Sequence, residues 1–426
     1  MLNRYPLFKG TPNILFIYLA YISLIIISSI LFAYLFSHKL DVMDNNNNIL
    51  LGNIPFDFGE LIVNLTESKG YYHTIDDVKY FLKKLPALPL LIVFIGKISL
   101  NYYFVIIFKN IIIFSTYFFA VYFLLRGSFN NNFLILILIA PICLPYNYNV
   151  ALNYVYGDCL TAIFLPLLFV SLLSFQKYRL YFTSIILFIL YFSKPSMFLI
   201  VSIIPFFILF LEKKNKLILR IMPFIFMILA VSSWGIFSYQ KTGKFAYGST
   251  SLSQNAFGLS FSFNREFKNY YPNKSTDLIP QHYPKFKFNS EWDWYNYYDK
   301  RNKEYLKNNL DRYLKDCLIK IKFIFFGVNR DGAFPDKNGI YNNNLRVSVL
   351  ISKIILNFAI IFSLIKLCSN IKNIYLIKEE FYFLSILSLN IAPHIVGWAT
   401  SKHLVGILNI SIIYLVYCFY NYFKKI

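Results

Sequence analysis

The chain has 426 residues, 57% of them hydrophobic and 20% aromatic, and a formal net charge of +21. Its mean hydropathy of +0.51 excludes an ordinary water-soluble globule of this length. The positive charge does not point to a nucleic-acid partner: much of it falls in short turns between apolar runs, where Lys and Arg set membrane orientation. The joint richness in Phe, Ile, Lys, Asn and Tyr also fits an AT-rich genome. The five cysteines, Cys143, Cys159, Cys317, Cys368 and Cys418, show neither a disulfide framework nor metal-ligand spacing.

In chain order, Arg4 and Lys9 precede a first apolar run over 14–36. That run is long enough to cross a hydrocarbon core and lacks a small-residue cleavage site after it. A polar first outer loop follows over 37–85, then an apolar stretch over 86–100, broken by two prolines, that either lies at the surface or enters obliquely. Further spans are predicted over 103–125, 132–148, 159–175, 180–193, 196–211 and 221–238. The last delivers a long polar segment, 239–345, to the outside. Its helix, predicted over 291–326, grades from charged to apolar and suits the interface. Spans over 347–367, 381–399 and 404–420 complete the chain. Backbone groups in lipid must be satisfied within each segment, so the spans are helices. The predicted fold is all-α: a polytopic membrane protein of about ten transmembrane helices, obeying the positive-inside rule with both termini cytoplasmic. It divides into an N-terminal membrane module (1–238), the outer segment (239–345) and C-terminal transmembrane helices (346–426).

Candidate chemistry gathers on the outer side. Asp57 and Glu60, three residues apart, share one face if helical, although outer loops are polar in any case. Asp158, at a membrane boundary, either faces a cavity or caps the helix it begins. Lys194 sits in the turn Ser193-Lys194-Pro195, Arg265 lies on the long segment, and Lys402-His403 follow Gly397-Trp398-Ala399-Thr400-Ser401. Topology does not place basic residues on this side, yet an outer lysine such as Lys402 can simply snorkel to head groups. His394, inside a span, reads as a packed or pore-facing residue. The sequons at Asn64 and Asn273 carry little weight in an Asn-rich chain.

The run Asp57-Phe-Gly-Glu60-Leu61, Ser68-Lys-Gly70-Tyr71, Leu85-Pro86-Ala87-Leu88-Pro89-Leu90 resembles the first outer loop of the C-type glycosyltransferase superfamily. The similar branch contains the protein O-mannosyltransferases and the lipid A aminoarabinose transferase. Those proteins show Asp-x-x-Glu-Tyr and Arg-Pro-Pro-x-Tyr-Pro-Leu. Here Leu61 stands for the aromatic, Leu85 for the Arg and Ala87 for the second proline, with Lys83 or Lys84 as stand-ins for the Arg. Tyr156-Gly157-Asp158, Ser193-Lys194-Pro195, Trp234 to Tyr239 with Gly243-Lys244-Phe245 and Asn255, and Glu304-Tyr305-Leu306 extend the resemblance in order along the chain.

The resemblance implies an inverting membrane glycosyltransferase that moves a sugar from a polyprenyl-phosphate donor to an envelope acceptor: a lipid, a glycan or a protein. It implies a bacterial inner (plasma) membrane setting. Asp57 would be the general base that takes the acceptor's proton, with Glu60 either orienting the acceptor or structural. Lys402, His403, Lys194 and Arg265 are the candidates for stabilising the phosphate leaving group. No cofactor and no metal site are assigned. Two outer carboxylates could in principle hold a hard divalent cation with waters, but one motif does not establish it. Two alternatives remain. A transporter or flippase of lipid-linked sugars calls for charges buried mid-span and paired repeats, and a polymerase calls for a late, arginine-bearing outer loop.

Overall fold

Helix dominates because the apolar runs leave their backbone groups no partner but themselves, and the described residues are mostly helical. The computed structural model describes residues 12–36, 44, 48–51, 58–124, 158–173, 178–213, 215–251, 287–308, 310–327, 343–369, 378–397 and 401–423. Asp57, Arg265 and the span predicted over 132–148 lie outside them, as does the side chain of Lys402.

Helix α1 (Pro12–Phe36) lies antiparallel to α4 (Tyr102–Leu124). Tyr18 meets Ser115 at 3.0 Å, and Asn110 donates to Ser29 at 2.8 Å. The first loop between them holds α2 (Phe58–Thr66), a hairpin of β1 (His73–Ile75) and β2 (Val78–Tyr80), and α3 (Ala87–Ile98). The hairpin is a small departure from an all-helical expectation. Asp76 and Asp77 form its two-residue turn at φ 51° and 70°, left-handed values that match strand twist and that Asp tolerates. At about 18 Å, α3 is too short to cross a bilayer. It buries Leu88, Ile92 and Ile95 and turns Leu90, Phe94 and Ile98 outward.

Helix α5 (Asp158–Leu173) is buried on nearly every side, as expected for a helix that is apolar all round. Around it stand α4, α6 (Arg179–Ser193), α12 (Lys378–Val396) and α13 (Val405–Phe423). Helix α7 (Phe198–Leu211) follows α6 through a 3₁₀ turn, Pro195–Met197. Helix α8 (Leu217–Thr242) buries Ala230, Trp234, Gly235 and Ser238, while Ile218, Ile225, Leu229 and Ile236 face out. Large aliphatics therefore line its outer face, as on a helix that borders an apolar medium.

The helix predicted over 291–326 is two helices, α9 (Glu291–Asn308) and α10 (Leu310–Phe326). Helix α11 (Asn343–Ser369) then precedes α12, and a 3₁₀ turn, Ser401–Leu404, leads into α13. Two buried lysines bind helix C-termini, where exposed carbonyls favour a cation. Lys320 donates to Gly397 O at 2.8 Å, and Lys353 donates to Phe323 O at 2.9 Å.

Among the described residues, three helices are long and apolar enough to cross a membrane: Tyr102–Tyr122, Leu217–Thr242 and Val349–Ser369. These are the features of a membrane protein. Helices α3, α5, α6 and α7 are shorter, at 12–16 residues.

Candidate active site at one end of the bundle

Three helix boundaries meet at one end of the bundle. Asp158 opens α5, Lys194 follows α6, and His403 lies in the 3₁₀ turn before α13. Lys194 Nζ donates to Asp158 Oδ1 at 2.7 Å and lies 2.7 Å from His403 Nδ1. His403 Nδ1 is also 3.0 Å from Asp158 Oδ1. With Nδ1 bare, the ring accepts from Lys194; with Nδ1 protonated, it donates to Asp158. Either way a carboxylate that is almost wholly buried has charged or polar partners, as burial demands. His394 stacks on His403, with ring centroids 4.4 Å apart.

Close helix approach makes the cluster possible. A Cβ on Gly406 would stand 2.7 Å from Thr161 O and 2.7 Å from a Leu165 methyl. Glycine therefore lets α13 lie against the first turns of α5 and brings His403 to Asp158. Helices α5 and α13 begin beside this cluster, as does the 3₁₀ turn leading into α7, and helix N-termini favour negative charge. Asp158 supplies it here.

A cavity of about 300 Å³ is bordered by Pro195, the residue after Lys194, while Asp158, Lys194 and His403 themselves do not line it. Tyr191, Pro195 and Phe198 form one wall, Phe245 to Thr250 another, and Leu85, Trp292 and Tyr295 the rest. The polar groups of this wall are tied back into the protein. Tyr191 OH donates to Tyr247 O at 2.6 Å, Trp234 Nε1 donates to Gly248 O at 3.1 Å, and Trp292 Nε1 donates to Thr242 Oγ1 at 2.9 Å. Aromatic faces are thereby left toward the space. The wall needs Gly235, since Phe245 lies where any larger side chain would put its Cβ.

Glu291 fixes the wall from behind. Its carboxylate, 3% exposed, accepts from the N–H of Phe81 at 2.8 Å, the N–H of Leu82 at 3.0 Å and Thr250 Oγ1 at 2.6 Å. Burial pushes its carboxyl above the usual range, opposed by those hydrogen bonds and by Lys83. Lys83 is itself buried, with its ammonium 5.2 Å from the Trp294 ring centroid. Tyr71 donates to Lys84 O at 2.8 Å. Burial first, then the Glu291 charge, raises its phenol well above the ordinary value.

The structure thus gathers Asp158, Lys194 and His403, three of the residues singled out from sequence. Glu60 is exposed and accepts from the N–H of Thr74 at 2.9 Å, which ties α2 to the hairpin. Lys84 lies 4.7 Å over the ring of Phe58, the neighbour of Asp57. Asp57, Arg265 and the side chain of Lys402 lie outside the described residues. Among the described residues no group of three or more His, Cys, Asp or Glu side chains is arranged to hold a metal.

Sequence reading missed Glu291, although it opens the aromatic run Trp292 to Tyr298. The flanking Ser290-x-x-Asp293 is a legible helix start: Asp293 N–H donates to Ser290 Oγ at 3.1 Å, and Ser290 Oγ donates to Asp293 Oδ2 at 2.8 Å. Reading also missed two carboxylates at the opposite end. There Glu212 pairs with Arg179 and Lys378, and Glu380 pairs with Lys366. The chain matches no protein-family model, and no curated protein matches it.

Proposed function

We propose that this protein is a membrane glycosyltransferase that moves a sugar from a polyprenyl-phosphate donor to an envelope acceptor at the outer face. The observation that carries the proposal is the juxtaposition of the Asp158–Lys194–His403 cluster with the aromatic-walled cavity, since Lys194 and Pro195 are chain neighbours. In this reading Lys194, one residue from the cavity wall in the chain, stabilises a phosphate leaving group as charge develops on it. Asp57, one residue before α2, takes the acceptor hydroxyl's proton, and His403 donates to the departing phosphate. The resemblance of the first loop to C-type glycosyltransferases supports the same assignment.

In this reading the chain crosses the bilayer about ten times, with both termini cytoplasmic and the Asp158 end outside. Helices α5, α6 and α7, of 14–16 residues, reach about 21–24 Å alone, and neighbouring residues complete the crossing of a core about 30 Å thick. The setting is a bacterial inner membrane.

The test is transfer of a labelled sugar from a polyprenyl-phosphate donor by the purified, reconstituted chain. Transfer is expected for the wild type, with turnover about 10²–10⁴-fold lower in Asp57→Asn. Full turnover in that variant removes Asp57 from the chemistry. One observation favours the transporter alternative. Lys109 is buried within α4, in electrostatic reach of the Cys159 thiol, and buried charge inside spans marks transport pathways. Movement of the lipid-linked sugar between leaflets without any transfer product would support that reading instead.

A further inference from the structure

Backbone groups of the first loop are bonded by side chains and backbone of the long polar segment. After β2 the chain runs through Phe81, Leu82, Lys83 and Lys84, beyond the hairpin's hydrogen-bonding ladder. Its buried N–H and C=O groups still require partners. The long segment supplies them. Glu291 accepts from the N–H groups of Phe81 and Leu82, Thr250 N–H donates to Leu82 O at 3.1 Å, and Ser249 Oγ donates to Lys83 O at 2.6 Å. Four backbone groups of three consecutive residues are thus engaged by three residues that lie more than 160 positions away in sequence.

We infer that Glu291 is a positioning residue, the buckle that fastens the first loop to the long segment and thereby builds the cavity beside Lys194. Its contacts set the register of the loop. With Phe81 and Leu82 held, Lys83 turns over the Trp294 ring, Lys84 turns over Phe58 beside Asp57, and Leu85 reaches the cavity. On the far side of the carboxylate, Thr250, Trp292 and Tyr295 complete the same wall. One buried side chain therefore places the loop that carries Asp57 against the space next to Lys194. The consequence for turnover rests on the glycosyltransferase reading; the fastening itself does not.

The hydrogen-bond pattern, and not the charge, is what the buckle uses. In Glu291→Gln the amide oxygen can take both backbone N–H groups, and the amide nitrogen can donate to Thr250 Oγ1. Glu291→Ala leaves all three donors without that acceptor.

The experiment is hydrogen exchange at the Phe81 and Leu82 amides of the full chain in lipid nanodiscs. Exchange in Glu291→Gln should stay within about twofold of wild type, while Glu291→Ala exchanges about tenfold faster or more. Thr250→Val, a milder change that keeps the fold if Glu291→Ala does not, should fall between them. Unchanged exchange in Glu291→Ala and Thr250→Val overturns the inference, as does Glu291→Gln exchanging as fast as Glu291→Ala. A parallel transfer assay should show a raised donor KM in Glu291→Ala that Glu291→Gln restores. A wild type that transfers no sugar would remove the glycosyltransferase reading and leave the exchange result standing.

Discussion

The two ends of the bundle are built from the same ingredients and differ in what surrounds them. At one end Asp158 is shared by Lys194 and His403, and the neighbouring Pro195 borders the cavity. At the other, Glu212 is enclosed by Arg179, Lys378 and the Tyr382 hydroxyl, while Glu380 meets Lys366 and Tyr414. The Glu212 end draws together the starts of α6 and α12 with the residue after α7, and reads as a lock between helices. The Asp158 end has one carboxylate and a histidine whose ring nitrogen serves either partner. A buried ion pair is thus no sign of function by itself. The cavity beside it is what separates the two ends.

That contrast can be broken in order of expected effect. Glu212→Ala strands Arg179 and Lys378 without their shared carboxylate. Loss of one partner from a buried pair costs about 3–5 kcal/mol. Thermal or denaturant unfolding in detergent should therefore show a large drop, with little change in turnover per folded molecule. At the other end, Lys194→Ala should weaken donor binding by about ten- to a hundred-fold, the equivalent of a charge-assisted hydrogen bond of about 1.5–3 kcal/mol. Donor affinity or KM measures it, and an unchanged value would make the Asp158 end a second lock. Gly406→Ala sharpens the comparison without touching a charge. Its methyl meets Thr161 O, and overpacking of this kind costs about 1–3 kcal/mol. It should push His403 from Asp158, lowering turnover while leaving the Glu212 end intact.

A smaller effect concerns the buckle. The Glu291 carboxyl is raised by burial, so the folded state binds a proton more readily than the unfolded chain. Its contribution is fully present below the ordinary carboxylate value and is lost as pH rises through the raised one. Mild acidification should therefore raise the protection of the Phe81 and Leu82 amides, measured as exchange relative to the intrinsic rate at each pH, and Glu291→Gln should flatten that response. Tyr71, whose phenol is raised well above its ordinary value by burial and by the Glu291 charge, keeps its proton throughout that window.

The helices were legible in the sequence because apolar length and flanking charge are local signals. Spans expected over 180–193 and 196–211 are α6 and α7 with the 3₁₀ turn between them. The hairpin was not legible, since three-residue strands around Asp76-Asp77 carry too little alternation to register. Lys194 and His403 could be picked out by their side of the membrane. Nothing local says that both reach Asp158, which stands 36 and 245 positions away. Glu291 was hidden for the same reason: its partners Phe81 and Leu82 are 210 and 209 residues distant. Such pairings are tertiary facts, and a single sequence holds no trace of them beyond residue type.

The most direct test compares the two ends in one assay: sugar transfer from a labelled polyprenyl-phosphate donor by reconstituted wild type, Asp158→Asn and Glu212→Gln, each normalised to folded protein. The account predicts transfer by wild type and Glu212→Gln at similar turnover, with Asp158→Asn lower by about a hundredfold, a 2.7 kcal/mol loss of transition-state stabilisation. No transfer by the wild type, or equal turnover in Asp158→Asn and wild type, would contradict it.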